Sequence, residues 1–381
     1  MKKSFFITLI LSLLLFSNTL SANSWLDLDL TERNDGSYFT LVTEEGQILT
    51  RTARILDIGD SYIASDNRRY EVVGYEDDNI IVEYKETVEL PTISDIFQTA
   101  APKSWWEKLT GFLFGSSDVE AEEWKSIGIY HTHNAESYVP TSGVDSEAQG
   151  GDILEVGRVM AESLREQGYE VHWSDNSHLP HDGQAYARSR RTVMELIKQQ
   201  PATLIDIHRD ATPPEVYQVE IDGKPASKVR IVVGRQNQNR EATMEYAKRI
   251  KAIADEKFPG IIEGIFDARG NYNQDIGPRV ILLEFGTHTI PLDLAKQSAQ
   301  FFAQIIPAAA GLSSPGAAQT EDATIGSAAR RSILWVLGIT AAVAVGYVIL
   351  NKEGLGSIKN FFSKEMGLGN RPNDENDGDG E

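Results

Sequence analysis

The chain has 381 residues, 41% of them hydrophobic and 24% charged, with no cysteine and a net charge of −20. Length and composition fit a globular protein of roughly two domains. The charge argues against nucleic-acid binding, which selects Lys/Arg surfaces, and the absence of cysteine excludes thiol catalysis and a disulfide scaffold. In chain order, Lys2 and Lys3, the apolar run from Phe5 to Phe16 and the small pair Ser21-Ala22 make residues 1–22 a signal peptide, cleaved after Ala22 or retained as an N-terminal anchor. Residues 24–92 read as a small β-rich module. Its runs Tyr38–Thr43, Tyr70–Gly74 and Ile80–Tyr84 are β-branched or aromatic and are separated by turn signals such as Asn34-Asp35-Gly36. It carries no cluster of catalytic residue types, so a spacer or docking role is expected.

Residues 93–124 read as a linker with an amphipathic stretch, Trp105 to Phe114. Residues 125–306 then alternate strand and helix signals. Strand 126–130 precedes a helix at 152–167, with Ile153, Val156, Met160 and Leu164 at helical spacing. There follow strand 169–173, helix 184–198, strand 203–208, a hairpin or strand pair at 216–221 and 228–234, helix 240–257, strand 279–285 and helix 292–306. This alternation predicts an α/β fold, a mostly parallel sheet with helices on both faces. Residues 307–332 are a linker rich in Ala, Gly and Ser. Ile333 to Leu350 runs 18 residues without a charge, between Arg330-Arg331 and Lys352, and is predicted to be a C-terminal transmembrane helix. Residues 351–381 read as an acidic, disordered cytoplasmic tail. The expectation is a single-pass protein of the cell membrane with its catalytic domain extracytoplasmic.

All seven histidines fall between His131 and His288, and those at the ends of strand runs 126–130 and 203–208 close apolar stretches beside acidic residues. In α/β folds, sites collect at the carboxyl ends of strands. A catalytic zinc needs about three protein ligands and one open position for water. His131 and His208 are expected to supply imidazoles and Glu136, in a loop that folds back, a carboxylate. Only one of His131 and His133 need be a ligand. His131 is preferred, with His133 supporting the transition state, and Glu147 competes with Glu136. Glu284 sits inside the apolar run Val280–Gly286, where a carboxylate is costly unless paired or functional, and is expected to be the general base and then acid. Arg209 and Asp210 are expected to orient ligands or bind a substrate carboxylate.

Several segments carry a family resemblance, in order across 125–306. They are Tyr130-His131-Thr132-His133 with Glu136-Ser137-Tyr138, His181-Asp182 ahead of Tyr186 and Ser189, Ile205-Asp206-Ile207-His208-Arg209-Asp210, Tyr272-Asn273-Gln274, and Leu282-Leu283-Glu284-Phe285-Gly286. Together they resemble the stage II sporulation protein P family, which is similar to the zinc-dependent N-acetylmuramoyl-L-alanine amidases. The resemblance implies an amidase-like catalytic domain, Zn2+ as cofactor, and a peptidoglycan substrate whose lactyl–peptide amide is cut, with endopeptidase action on cross-links besides. It places Tyr272, Asn273 and Gln274 among substrate contacts. It also implies a role in engulfment with a lytic transglycosylase, stage II sporulation protein D, and a membrane scaffold, stage II sporulation protein M. The competing expectation is an inactive peptidoglycan-binding scaffold of the same fold.

Overall fold

A computed structural model describes residues 32–33, 35–100 and 126–312. The predicted signal peptide, most of both linkers, the predicted transmembrane helix at 333–350 and the tail lie outside the described residues. Among the described residues no helix is long and apolar enough to cross a membrane.

The site-bearing half is built on parallel strands β6 (Ser126–Tyr130), β7 (Glu170–Trp173), β8 (Thr203–Asp210) and β13 (Val280–Thr287). Every residue of β8 and β13 is buried, as expected of central strands covered on both faces. Helix α1 (Ile153–Glu166) lays Ile153, Val156, Met160 and Leu164 on one sheet face. Helices α2 (Arg240–Lys257) and α3 (Leu292–Phe302) pack with it around Ile127, Ile129, Ile205, Ile207, Ile281 and Leu283. Each such aliphatic side chain, fully buried, contributes about 1.5–3 kcal/mol. The opposite face holds the helix Ala185–Leu196, whose Val193 and Leu196 pack on Tyr130, Leu204 and Val280. Helices on both faces are therefore as predicted.

Three expectations change. The sheet is mixed rather than mostly parallel, because β11 (Val229–Gly234) enters antiparallel to β13, and the strands of 39–87 add mainly antiparallel pairs. The predicted pairing of 216–221 with 228–234 is replaced. The hairpin closes between β9 (Gln218–Ile221) and β10 (Lys224–Ser227), which frees β11 for the main sheet. A strand that the sequence reading passes over, β12 (Ile262–Ala268), lies parallel to β11.

That strand overturns the separate β module. β3 (Ser61–Ala64) pairs antiparallel with β12, so β1 (Phe39–Thr43), β2 (Ile48–Thr52), β4 (Arg68–Glu76) and β5 (Asn79–Thr87) continue one 11-stranded sheet. Gly264 makes the junction possible: a Cβ there would lie 2.3 Å from the Tyr62 ring. The sheet coils back on itself. Thr50 of the first edge strand hydrogen-bonds Glu263, and Arg230 of β11 donates to Thr50 Oγ1 and Arg51 O, both at 2.9 Å. Inside the coil, Leu41, Tyr70, Val72, Ile80 and Val82 share a core with Val232, Phe266 and Leu282.

Candidate metal centre

Strand alternation sorts the polar residues of β8. Ile205 and Ile207 enter the core under α1, whereas Asp206, His208 and Asp210 take the other face. By the same rule His131, just past β6, follows Ile127 and Ile129 under α1. There its Nδ1 donates to Ile207 O at 3.3 Å and its Nε2 accepts the Trp173 indole N–H at 3.2 Å. Gly157 of α1 leaves the room, since a Cβ would come within 2.3 Å of His131 Nε2. Burial pushes this imidazole down to about 4, which matches a neutral ring with one donating and one accepting nitrogen. Both nitrogens are taken, so the expectation that His131 ligates the metal is corrected.

The imidazole placed to ligate an ion is that of His133. The chain turns at 132–135, and the turn carries His133 to the face of His208. His133, Glu136 and His208, all buried, place one ligand atom each within 4.8 Å of one another. His133 Nδ1 lies 3.2 Å and His208 Nδ1 lies 3.4 Å from Glu136 Oε1. Glu136 Oε2 accepts the Arg209 amide at 2.9 Å, fixing the carboxylate. The loop can fold this tightly because residue 151 is glycine: a Cβ there would meet the Glu136 carbonyl oxygen at 2.1 Å. Glu147, the competing carboxylate, uses its backbone amide to brace the loop on Ala135 O and is not one of the three.

The donor set fits a divalent cation. Among the described residues neither ring nitrogen of His208 has a hydrogen-bond partner, although both are buried. Carboxylates stand beside each: Glu136, and Asp206 with its Oδ1 3.1 Å from Nε2. Burial opposes charge on His208, but Asp206 and Glu136 outweigh it and raise the imidazole well above its ordinary value. Burial likewise opposes ionisation of Glu136, but His208 and His133 hold it well below the usual carboxylate range. Two carboxylates around buried imidazoles call for positive charge, and two nitrogens with one oxygen is a set that zinc accepts. Asp206 has the place of an outer partner to a ligating imidazole. It accepts from Thr132 N at 2.8 Å and Thr132 Oγ1 at 2.7 Å. At the rim His181 lies with its ring 4.1 Å from that of His133, and burial and His133 push it down to about 3.

Glu284 is the ladder partner of His208 on β13, so both side chains leave the same face of neighbouring strands. Its Oε1 pairs with Arg54 Nη2 at 2.5 Å, and its Oε2 accepts the Tyr217 hydroxyl at 3.2 Å with Arg230 at 3.6 Å. Burial raises this carboxyl to about 7, against the pull of Arg54 and with a further push from Asp210.

The other predicted contacts tie the structure together. Arg209 donates to Asp145 O at 2.8 Å and Ser137 O at 3.4 Å, clamping the loop beyond Glu136. Asp210 takes Arg230, the Tyr217 hydroxyl and the Ala53 amide. Tyr272 accepts from Arg54 and donates to Arg269 O, Asn273 donates to Ser189 Oγ, and Gln274 holds Gly234 N and Val232 O. The sequence reading missed Asp206, although Asp-Ile-His spacing places it on the ligand face. It also missed Arg54, Tyr217 and Arg230, for which no local signal exists.

A family model described as Stage II sporulation protein P matches residues 61–307. The match starts at β3, so it reaches well upstream of the segments that carry the resemblance. Stage II sporulation protein P of Bacillus subtilis (strain 168) is 33% identical over 181 residues, which is 42% of this chain and 45% of that protein. The matched region therefore spans less than half the length of that relative.

Proposed function

The chain belongs to the stage II sporulation protein P family, and from that premise we propose that it is a metal-dependent peptidoglycan hydrolase acting in sporulation-related wall remodelling. The bond cut is the amide between the glycan's lactyl group and the stem peptide. The observation that carries this reading is the His133–Glu136–His208 group, buried with one ligand atom from each residue within 4.8 Å of the others, one strand away from Glu284.

His133, Glu136 and His208 would hold the ion, for which zinc suits the donors. When bound, it supplies Lewis acidity and brings a water's pKa towards neutrality. Asp206 orients His208, and the Arg209 amide orients Glu136. Glu284 takes the proton from the attacking water and returns it to the departing amine, as one group serving as base and then acid. Its partners Arg54 and Tyr217 keep the carboxylate from rotating away. The apolar segment 333–350, with the signal-like residues 1–22, supports an anchored protein whose catalytic unit faces the wall. Lytic transglycosylase and membrane scaffold partners of the stage II sporulation D and M kind belong to the same proposal.

The test is release of stem peptides from purified sacculi by the purified chain. Chelation should abolish release and added zinc should restore it. Release that survives exhaustive chelation contradicts the metal-dependent reading.

A further inference from the structure

We propose that Arg54 is a positioning residue for Glu284, supplied by a segment that lies ahead of the family match. The inference rests on the reading of Glu284 as the proton-transferring group. Arg54 sits between β2 and β3, fully buried, and one planar guanidinium makes three contacts. Nη2 meets Glu284 Oε1 at 2.5 Å and Glu32 Oε1 at 3.0 Å, and Nη1 donates to the Tyr272 hydroxyl at 3.0 Å. The same guanidinium lies over the Tyr272 ring, 5.2 Å from its centroid. That ring meets Tyr186 edge-on at 5.3 Å, and Tyr186 stacks on His208 at 6.2 Å. Arg54 thus links the carboxylate to the aromatic wall of the metal centre. A rigid fork of donors can fix one oxygen against a second anchor, which a flexible ammonium does not do.

Two observations separate this from an inhibitory latch and from a closed structural knot. A latch has to leave, but residues 52–54 are fully buried and interlocked. The Ala53 amide donates to Asp210 at 3.2 Å, Ala53 O accepts Arg33 N at 2.8 Å, and Arg230 holds Arg51 O. The strip is therefore a fixed bracket. A closed knot would use all of its donors. Here Arg54 Nε and the Tyr186 hydroxyl are buried without a hydrogen-bond partner among the described residues. Unclaimed buried donors of this kind mark a network that does not close on itself.

The experiment uses the full chain, zinc-loaded, on a defined muropeptide, with kcat, KM and bound zinc measured for R54Q, R54K, E284Q and the double variants. R54Q should lower kcat about 100-fold, the scale of a misplaced catalytic group, with KM and zinc content unchanged. R54K, which keeps the charge and loses the fork, should fall about 10-fold. In the E284Q background either substitution should cost less than about twofold, because Arg54 acts through Glu284. Wild-type kcat in folded R54K overturns the proposal. So does a cost at position 54 that is the same with and without Glu284. If R54Q does not fold, the R54K cycle decides. Failure of the underlying reading is distinct: E284Q then keeps full activity, or the wild type releases nothing.

Discussion

Two buried polar clusters share one sheet face and differ in what stands against their carboxylates. In the first, Arg230 pairs with Asp210 and Glu263, while Arg54 pairs with Glu284 and Glu32. Hydroxyls from Thr50, Tyr62 and Tyr217 take up oxygens of the same carboxylates. In the second, His208 stands between the carboxylates of Glu136 and Asp206, its nitrogens without hydrogen bonds among the described residues, with His133 nearby. Burial is nearly total in both. The first cluster sets two guanidiniums against its carboxylates, whereas the second sets only imidazoles against Glu136 and Asp206, so the second is the one built to receive a cation. The first is built to hold strands, and Glu284, together.

The contrast breaks most sharply at the ligands. Replacing His208 or His133 by Ala should lower hydrolysis by about 10³-fold or more, several kcal/mol of transition-state stabilisation, with loss of bound metal. Steady-state rates and elemental analysis check this. Glu284→Gln should cost about 10²–10⁴-fold in kcat, the range for a general acid–base group, while bound metal stays. A fully active E284Q would return Glu284 to the structural cluster.

The structural cluster responds in stability instead. Arg230→Met strands Asp210 and Glu263 and should cost about 3–5 kcal/mol, as removal of one partner from a buried ion pair does. Urea denaturation measures it. A milder case is His131→Ala, which removes two buried hydrogen bonds and should cost roughly 1–3 kcal/mol with metal content unchanged. The smallest effect is in pH. Glu284 must be ionised to accept a proton, and its carboxyl is raised to about 7 by burial against Arg54. The kcat/KM profile should therefore fall as pH drops through about 7. A rate unchanged down to pH 5 would assign the base elsewhere.

The α/β half was legible where residues act locally. Helix 240–257 and strand 126–130 follow from periodicity, and the chemistry at the ends of β6, β8 and β13 follows from strand ends. β12 stayed hidden because Glu263 and Gly264 interrupt its apolar pattern. Those two residues serve the junction with the upstream strands: Glu263 pairs with Arg230 and Gly264 admits Tyr62. The residues that made the strand illegible are the ones that join the two halves, so the upstream strands read as a separate module. His131 and His133 were reversed for a related reason. Strand 126–130 ends where periodicity puts it, but no local pattern shows how the turn at 132–135 runs, and that turn decides which imidazole meets His208. Arg54 reaches Glu284 across 230 residues, and no local pattern announces such a contact.

Zinc content separates the two imidazoles most directly. The chain should retain one equivalent of zinc in the wild type and in His131→Ala, and lose it in His133→Ala. Zinc kept by His133→Ala and lost by His131→Ala would contradict the centre described above.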